Sequence, residues 1–121
     1  YVHPGHVTMF DFWASWCLPC VQELSFLKSL YQTYHGQGLD IVSVSLDTKR
    51  SAWEAAVKKH QIPWPQISDL KGWHGTITKD YAISAIPFII VIDQKGKIAV
   101  RNLHDYKLEN AIKELLAAKN K

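Results

Sequence analysis

The first apolar block, Val7 to Trp13 (VTMFDFW), is interrupted only by Thr8 and Asp11 and is rich in β-branched and aromatic residues. That length and composition predict a buried central strand. The block stops at Ala14-Ser15-Trp16. From Cys17 to Tyr34 the period changes, with Val21, Leu24, Leu27, Leu30, Tyr31 and Tyr34 recurring at three- and four-residue spacing. This predicts an amphipathic helix, ended by Gly36 and Gly38. Leu39 to Leu46 (LDIVSVSL) predicts a second buried strand. Arg50 to His60 predicts a helix with Ala52, Trp53, Ala56 and Val57 on one side. Ile62-Pro63-Trp64-Pro65 breaks it, because proline removes a backbone donor and restricts the residue before it. Asp69 to Gly75 reads as a loop and Ile77 to Tyr81 as a short helix. Phe88 to Ile92 (FIIVI) is a third strand. Asp93-Gln94-Lys95-Gly96 forms a turn, and Ile98 to Leu103 is the returning strand. Leu108 to Ala118 is a closing helix with Leu108, Ile112, Leu115 and Leu116 inward.

Strands alternate with helices, and a hairpin and a helix close the chain. That order predicts an α/β fold with a central mixed β-sheet flanked by helices. With 121 residues and no repeat, low-complexity stretch or linker, residues 1–121 read as one domain. Such a chain buries roughly two thirds of its unfolded surface and needs no disulfide framework or metal to form a core. Apolar residues make up 47% and charged residues 21%, which speaks against disorder, collagen-like repeats and coiled coils. The formal charge is +3 and the lysines are dispersed. No polybasic block suggests a nucleic-acid or membrane-surface partner. The longest apolar run, Ile86 to Ile92, is too short to cross a bilayer. The chain opens at Tyr1, with neither an initiator methionine nor a signal-peptide pattern. It reads as a mature product or as an excised domain, the C-terminal part of a longer protein.

The two cysteines, Cys17 and Cys20, stand three positions apart at a strand-to-helix junction. A bridge between them closes a tiny loop and constrains little of the unfolded chain, so it is a poor stability device. The place suits chemistry. The first turn of a helix carries unpaired N–H groups and partial positive charge, which stabilises a thiolate at Cys17. The thiolate is the nucleophile of thiol–disulfide exchange, and Cys20, one turn on, is placed to resolve a mixed disulfide. Pro19 fits the first turn, where its missing N–H costs nothing. The competing readings are a structural disulfide and a zinc pair. Zinc needs two further ligands; there is no second cysteine pair, and His35, His60, His74 and His104 show no H-x3–5-H spacing. His3 and His6 are close but precede a strand.

Phe10-Asp11-Phe12-Trp13-Ala14-Ser15-Trp16-Cys17-Leu18-Pro19-Cys20 resembles the active-site stretch of the thioredoxin superfamily. Ala85-Ile86-Pro87-Phe88 stands where such proteins carry a cis-proline loop facing the cysteines. Glu23, Val44-Ser45-Leu46-Asp47, Ile62-Pro63-Trp64 and Ile92-Asp93-Gln94-Lys95-Gly96-Lys97-Ile98 are similar to the TlpA-like branch. The string IPWPQISDLKGW is similar to C-terminal domains of longer Bacteroidetes proteins. The resemblance covers essentially the whole chain. It implies a thioredoxin-like fold with a β-α insertion between the CxxC helix and the cis-proline loop.

The resemblance also implies site roles. Ile86, turned by a cis bond at Pro87, would pair its backbone with an extended substrate, while Pro87 keeps competing groups from Cys17. Asp11 matches a buried aspartate that exchanges protons beneath Cys20; the alternative is that it faces water. The lysine that partners that aspartate in many thioredoxins falls at Ser43, which carries no charge. Glu23 matches an active-site glutamate that tunes the thiols; the alternative is an ordinary first-turn glutamate favoured by the helix dipole. Ser25 replaces a common proline. Trp13 is expected in the core and Trp16 on the exposed rim. Trp53, Trp64 and Trp73 are expected to pack within the insertion, the alternative being that one of them lines a substrate groove; the histidines are expected to be solvated.

The leading expectation is a thiol–disulfide oxidoreductase that exchanges the Cys17–Cys20 pair with protein substrates and requires no bound cofactor or metal. By resemblance it acts as a reductant outside the cytoplasm, in the periplasm or anchored at the envelope, supplied by a membrane-bound electron donor. A second reading is a redox-switched binding module of a larger protein that does not turn over. A thiol peroxidase shares the fold but wants a lone cysteine in a Thr-x-x-Cys context, and Ala14 stands three residues before Cys17.

Overall fold

The computed structural model describes residues 2–118. Its elements are β1 (Val7–Trp13), α1 (Leu18–Tyr34), β2 (Leu39–Ser45), α2 (Arg50–Lys59), β3 (Gln66–Ile67), α3 (Thr76–Asp80), β4 (Phe88–Ile92), β5 (Ile98–Arg101) and α4 (Asp105–Ala118). Single 3-10 turns cover His35–Gln37 and Gly72–His74. The strands form one sheet in the order β3-β2-β1-β4-β5. β2 runs parallel to β1 and β3 parallel to β2, whereas β4 is antiparallel to both β1 and β5. The expected mixed sheet is therefore the observed one.

β1 is the middle strand, paired on both edges and covered on both faces, so nearly every side chain in it is buried. That is why its sequence reads as an almost continuous apolar block rather than an alternation. Trp13, Phe12 and Met9 form the centre of the core with Leu27 and Leu30 of α1, Ile41 of β2, Ile89 of β4 and Leu108 and Ile112 of α4. The Tyr34 hydroxyl donates to Glu109 at 2.6 Å, which ties α1 to α4.

Three differences from the sequence pattern exceed a single residue. β3 is a two-residue edge strand, too short to show any period, just after the Ile62–Pro65 break; Ser43 N–H donates to the Pro65 carbonyl at 3.0 Å beside it. β5 ends at Arg101 because Asn102 turns left-handed, with φ of 57°. α4 begins three residues earlier than the apolar period suggests, since its first turn is polar and exposed apart from Leu108. On α2, Trp53 and Ala56 are buried but Ala52 faces solvent. Trp53 and Trp64 pack inside as expected, whereas Trp73 is 41% exposed.

Candidate functional site

Cys17 is the N-cap of α1 and is joined to Cys20 by a disulfide, with the Cα atoms 5.3 Å apart. The Cys20 N–H donates to the Cys17 sulfur at 3.3 Å. The sulfur therefore takes the place of the side-chain oxygen that usually caps a helix, and it accepts one of the unpaired first-turn donors. Pro19 lies in that turn and no acidic residue does, so nothing there offsets the positive end of the helix. Cys17 is 7% exposed and Cys20 2%. Trp16 and Leu18, 59% and 65% exposed, form an apolar rim around the bridge. Trp13 is fully buried, as its place in the strand predicts.

The loop that delivers Cys17 is held from below. Asp47, buried just beyond β2, accepts from Ser15 N–H at 3.1 Å, from the Ser15 hydroxyl at 2.5 Å and from the Ser45 hydroxyl at 2.6 Å. Leu46 N–H donates to the Trp13 carbonyl at 2.8 Å, and Cys17 N–H to the Ala14 carbonyl at 3.1 Å. The carboxylate fixes the turn between β1 and α1. Sequence reasoning gave Asp47 no such role; the signals were a charged residue following an apolar strand and its place in the family-like stretch Val44-Ser45-Leu46-Asp47.

Asp11 is 1% exposed, which removes the water-facing alternative. It lies opposite Ser43 in the β1–β2 register, and the Ser43 hydroxyl donates to Asp11 Oδ2 at 3.2 Å. The Trp64 indole N–H in turn donates to Ser43 Oγ at 2.7 Å. Burial pushes the Asp11 carboxyl up to about 7; the nearby charge of Glu23 adds to the rise and the Ser43 hydrogen bond opposes it. The residue at the position of the expected lysine is thus a neutral hydrogen-bond donor.

Glu23 is more than a helix-end charge. Its Oε2 lies 2.5 Å from His104 Nδ1, while Oε1 is buried without a hydrogen-bond partner. His104 Nε2 lies 2.9 Å from Asn102 Oδ1. The expectation of solvated histidines fails at His104, because the loop after β5 folds back onto α1, a contact no local pattern encodes. His6, likewise, lies with Nδ1 2.8 Å from Asp40 Oδ2.

The Ile86–Pro87 peptide is cis, in the loop before β4. A surface hollow of about 380 Å³ brings Pro87 together with Pro19, Gln22, Glu23, Phe26, His104 and Asp105. Three sequence-predicted site residues, Pro19, Glu23 and Pro87, therefore line one hollow although they come from distant parts of the chain. Ile86 is half-buried beside it. Among the described residues, no group of three or more His, Cys, Asp or Glu side chains is placed to hold a metal ion.

Residues 5–98 match the family model described as thioredoxin-like. A thiol-disulfide oxidoreductase ResA of Bacillus thuringiensis is 32% identical over 94 residues, which are 78% of this chain and 53% of the relative. The chain spans about half the length of the curated relatives it matches. A thiol-disulfide oxidoreductase from Bacteroides fragilis has a similar structure, with a TM-score of 0.86 and 34% identity over 93% of this chain and 82% of that one. The thioredoxin domain of a thiol-disulfide oxidoreductase from Bacteroides vulgatus aligns with a TM-score of 0.85 and 28% identity, covering 93% of this chain and 80% of that one.

Proposed function

Because the chain belongs to the thioredoxin-like family, we propose that it is a thiol–disulfide oxidoreductase acting on protein substrates through Cys17 and Cys20. The observation that carries this reading is the Cys17–Cys20 disulfide at the start of α1, with the Cys17 sulfur as the helix cap. In the reduced protein the same N–H and the helix field favour a Cys17 thiolate.

That thiolate attacks a substrate disulfide. A Cys17–substrate bond forms, the substrate S–S bond breaks, and one substrate sulfur departs as a thiolate and takes a proton from water. Cys20 then loses its proton to a carboxylate and attacks Cys17. The Cys17–Cys20 bond re-forms and the second substrate sulfur leaves. Two electrons pass from the dithiol to the substrate. Asp11, titrating near neutrality, suits the proton-accepting role. Trp16, Leu18 and the Pro87 hollow suit the docking of an extended chain beside Cys17.

The proposed setting is outside the cytoplasm, at the bacterial envelope, with electrons from a membrane-bound donor and net reduction of the substrate. The resemblance to the TlpA-like branch supports this. The test is turnover of a protein disulfide with dithiothreitol as reductant. Wild type should turn over, Cys17→Ser should not, and Cys20→Ser should accumulate a mixed disulfide at Cys17. A pair that changes redox state without turnover would instead leave the redox-switched binding module.

A further inference from the structure

His104 stands between a buried carboxylate and water. Its backbone is pinned on both sides. Asn102, left-handed with φ of 57°, donates its N–H to the Ile89 carbonyl at 2.6 Å, and the His104 carbonyl accepts from Leu108 N–H at the start of α4. Asp105, next in the chain, is also left-handed, with φ of 55°. Asn and Asp are the non-glycine residues that adopt this conformation most readily, so the sequence suits the turn. The segment holds this shape around a ring whose two nitrogens are both engaged, Nδ1 by Glu23 and Nε2 by Asn102.

The ring separates two hollows. One is the 380 Å³ hollow beside Pro87; the other, of about 390 Å³, is lined by residues 102–107. The Glu23 side chain is 12% exposed and that of His104 29%. Both side chains line the hollow beside Pro87, and His104 is the more exposed of the two. The charged groups facing this pair are Asp11 of β1, coupled to Glu23 by charge, and Asp105 and Lys107 at the start of α4.

We propose that His104 is a positioning residue for disulfide exchange. It holds the Glu23 carboxylate one helical turn from Cys20, and it relays to water the proton that Cys20 gives up when it resolves the mixed disulfide. This rests on the oxidoreductase reading above. In the resolving step, the Cys20 S–H proton passes to the Asp11–Glu23 carboxylates. The Cys17–Cys20 bond forms and the Cys17–substrate bond breaks. The proton then enters the ring at Nδ1, and the Nε2 proton, released from its hydrogen bond to Asn102 Oδ1, leaves for water. A ring with two nitrogens can perform that transfer, taking a proton at one and releasing one at the other.

The test is stopped-flow reaction of the reduced protein with Ellman's disulfide, followed as a function of pH across the neutral range. The first thionitrobenzoate released reports attack by Cys17 and the second reports resolution by Cys20. In His104→Ala the second phase should slow by roughly tenfold, short of the hundredfold or more that a full acid–base group contributes. The first phase should be unchanged, and added imidazole should restore the second. His104→Gln, which keeps more of the packing, should show the same slowing. Glu23→Gln combined with His104→Ala should be no slower than the slower single variant, as for residues acting as one unit. A second phase in His104→Ala with the wild-type pH profile would overturn the proposal. So would a slowing that imidazole does not relieve. Wild type lacking any second phase would instead remove the oxidoreductase reading, whatever His104 does.

Discussion

The Ser43 hydroxyl donates to the Asp11 carboxylate across the β1–β2 ladder, from the middle of one buried strand to the middle of the next. It is the hydrogen bond that opposes the burial of Asp11, and Trp64 holds its donor in place. A carboxyl in this position keeps a proton near neutral pH yet can still lose it. That is the property required of a group that takes a proton from a thiol and returns it.

Asp11→Asn should stabilise the oxidised protein, and by a pH-dependent amount. The carboxyl titrates near 3.8 when free and near 7 when folded. The folded state therefore holds a proton that the unfolded state has lost over that window. The stabilisation this gives wild type is complete below the lower value and is lost as pH rises through the upper one. Wild-type stability should fall by up to about 4 kcal/mol between those limits relative to Asp11→Asn, at 1.36 kcal/mol per unit. Urea unfolding at acidic and mildly alkaline pH measures it. The same variant should slow the resolving step by about tenfold to a hundredfold.

Ser43→Ala removes the one hydrogen bond that holds the Asp11 carboxyl down. The Asp11 titration should move further up, as read by carbon NMR of the carboxyl. The Trp64 N–H also loses its acceptor, so the variant should be about 1–3 kcal/mol less stable even at acidic pH. A titration that moves downward would contradict the assigned balance of burial and hydrogen bonding.

Asp47→Ala should be among the most damaging substitutions outside the cysteines. It strands the buried Ser45 hydroxyl and the partly buried Ser15 N–H and hydroxyl, at a cost of about 3 kcal/mol. Ser15→Ala removes a single hydroxyl and should cost about 1 kcal/mol. Thermal unfolding of the two variants compares them directly, and turnover should fall with the looser presentation of Cys17.

Trp16→Ala should separate binding from folding. The side chain is mostly in water, so stability should change by no more than about 0.5 kcal/mol. KM for a protein disulfide should rise while the rate with a small disulfide stays close to wild type. Equal losses with both substrates would place Trp16 in the chemistry rather than on the docking rim.

The parts legible in the chain were those with local causes. β1, β2 and β4 are runs of apolar and β-branched residues because both faces are covered. α1 shows its period, and a cysteine before a proline-bearing first turn marks the site on a helix end whatever the rest of the chain does. Those features determined the mixed sheet and the Cys17–Cys20 chemistry. The partners of Asp11 and Glu23 were not legible in this way. The family resemblance placed Ser43 at the partner position of Asp11, but Trp64, His104 and Asp47 join the site only because the tryptophan loop covers Ser43, the segment after β5 folds back onto α1 and the end of β2 lies beneath the turn after β1. Burial of Asp11 and the pairing of Glu23 with His104 join residues tens of positions apart, and no period or spacing records such contacts. The sequence alone determined the Cys17–Cys20 pair at a helix start; tertiary packing decided which carboxylates are desolvated and what they bond to, because desolvation and hydrogen bonding are set by neighbours in space.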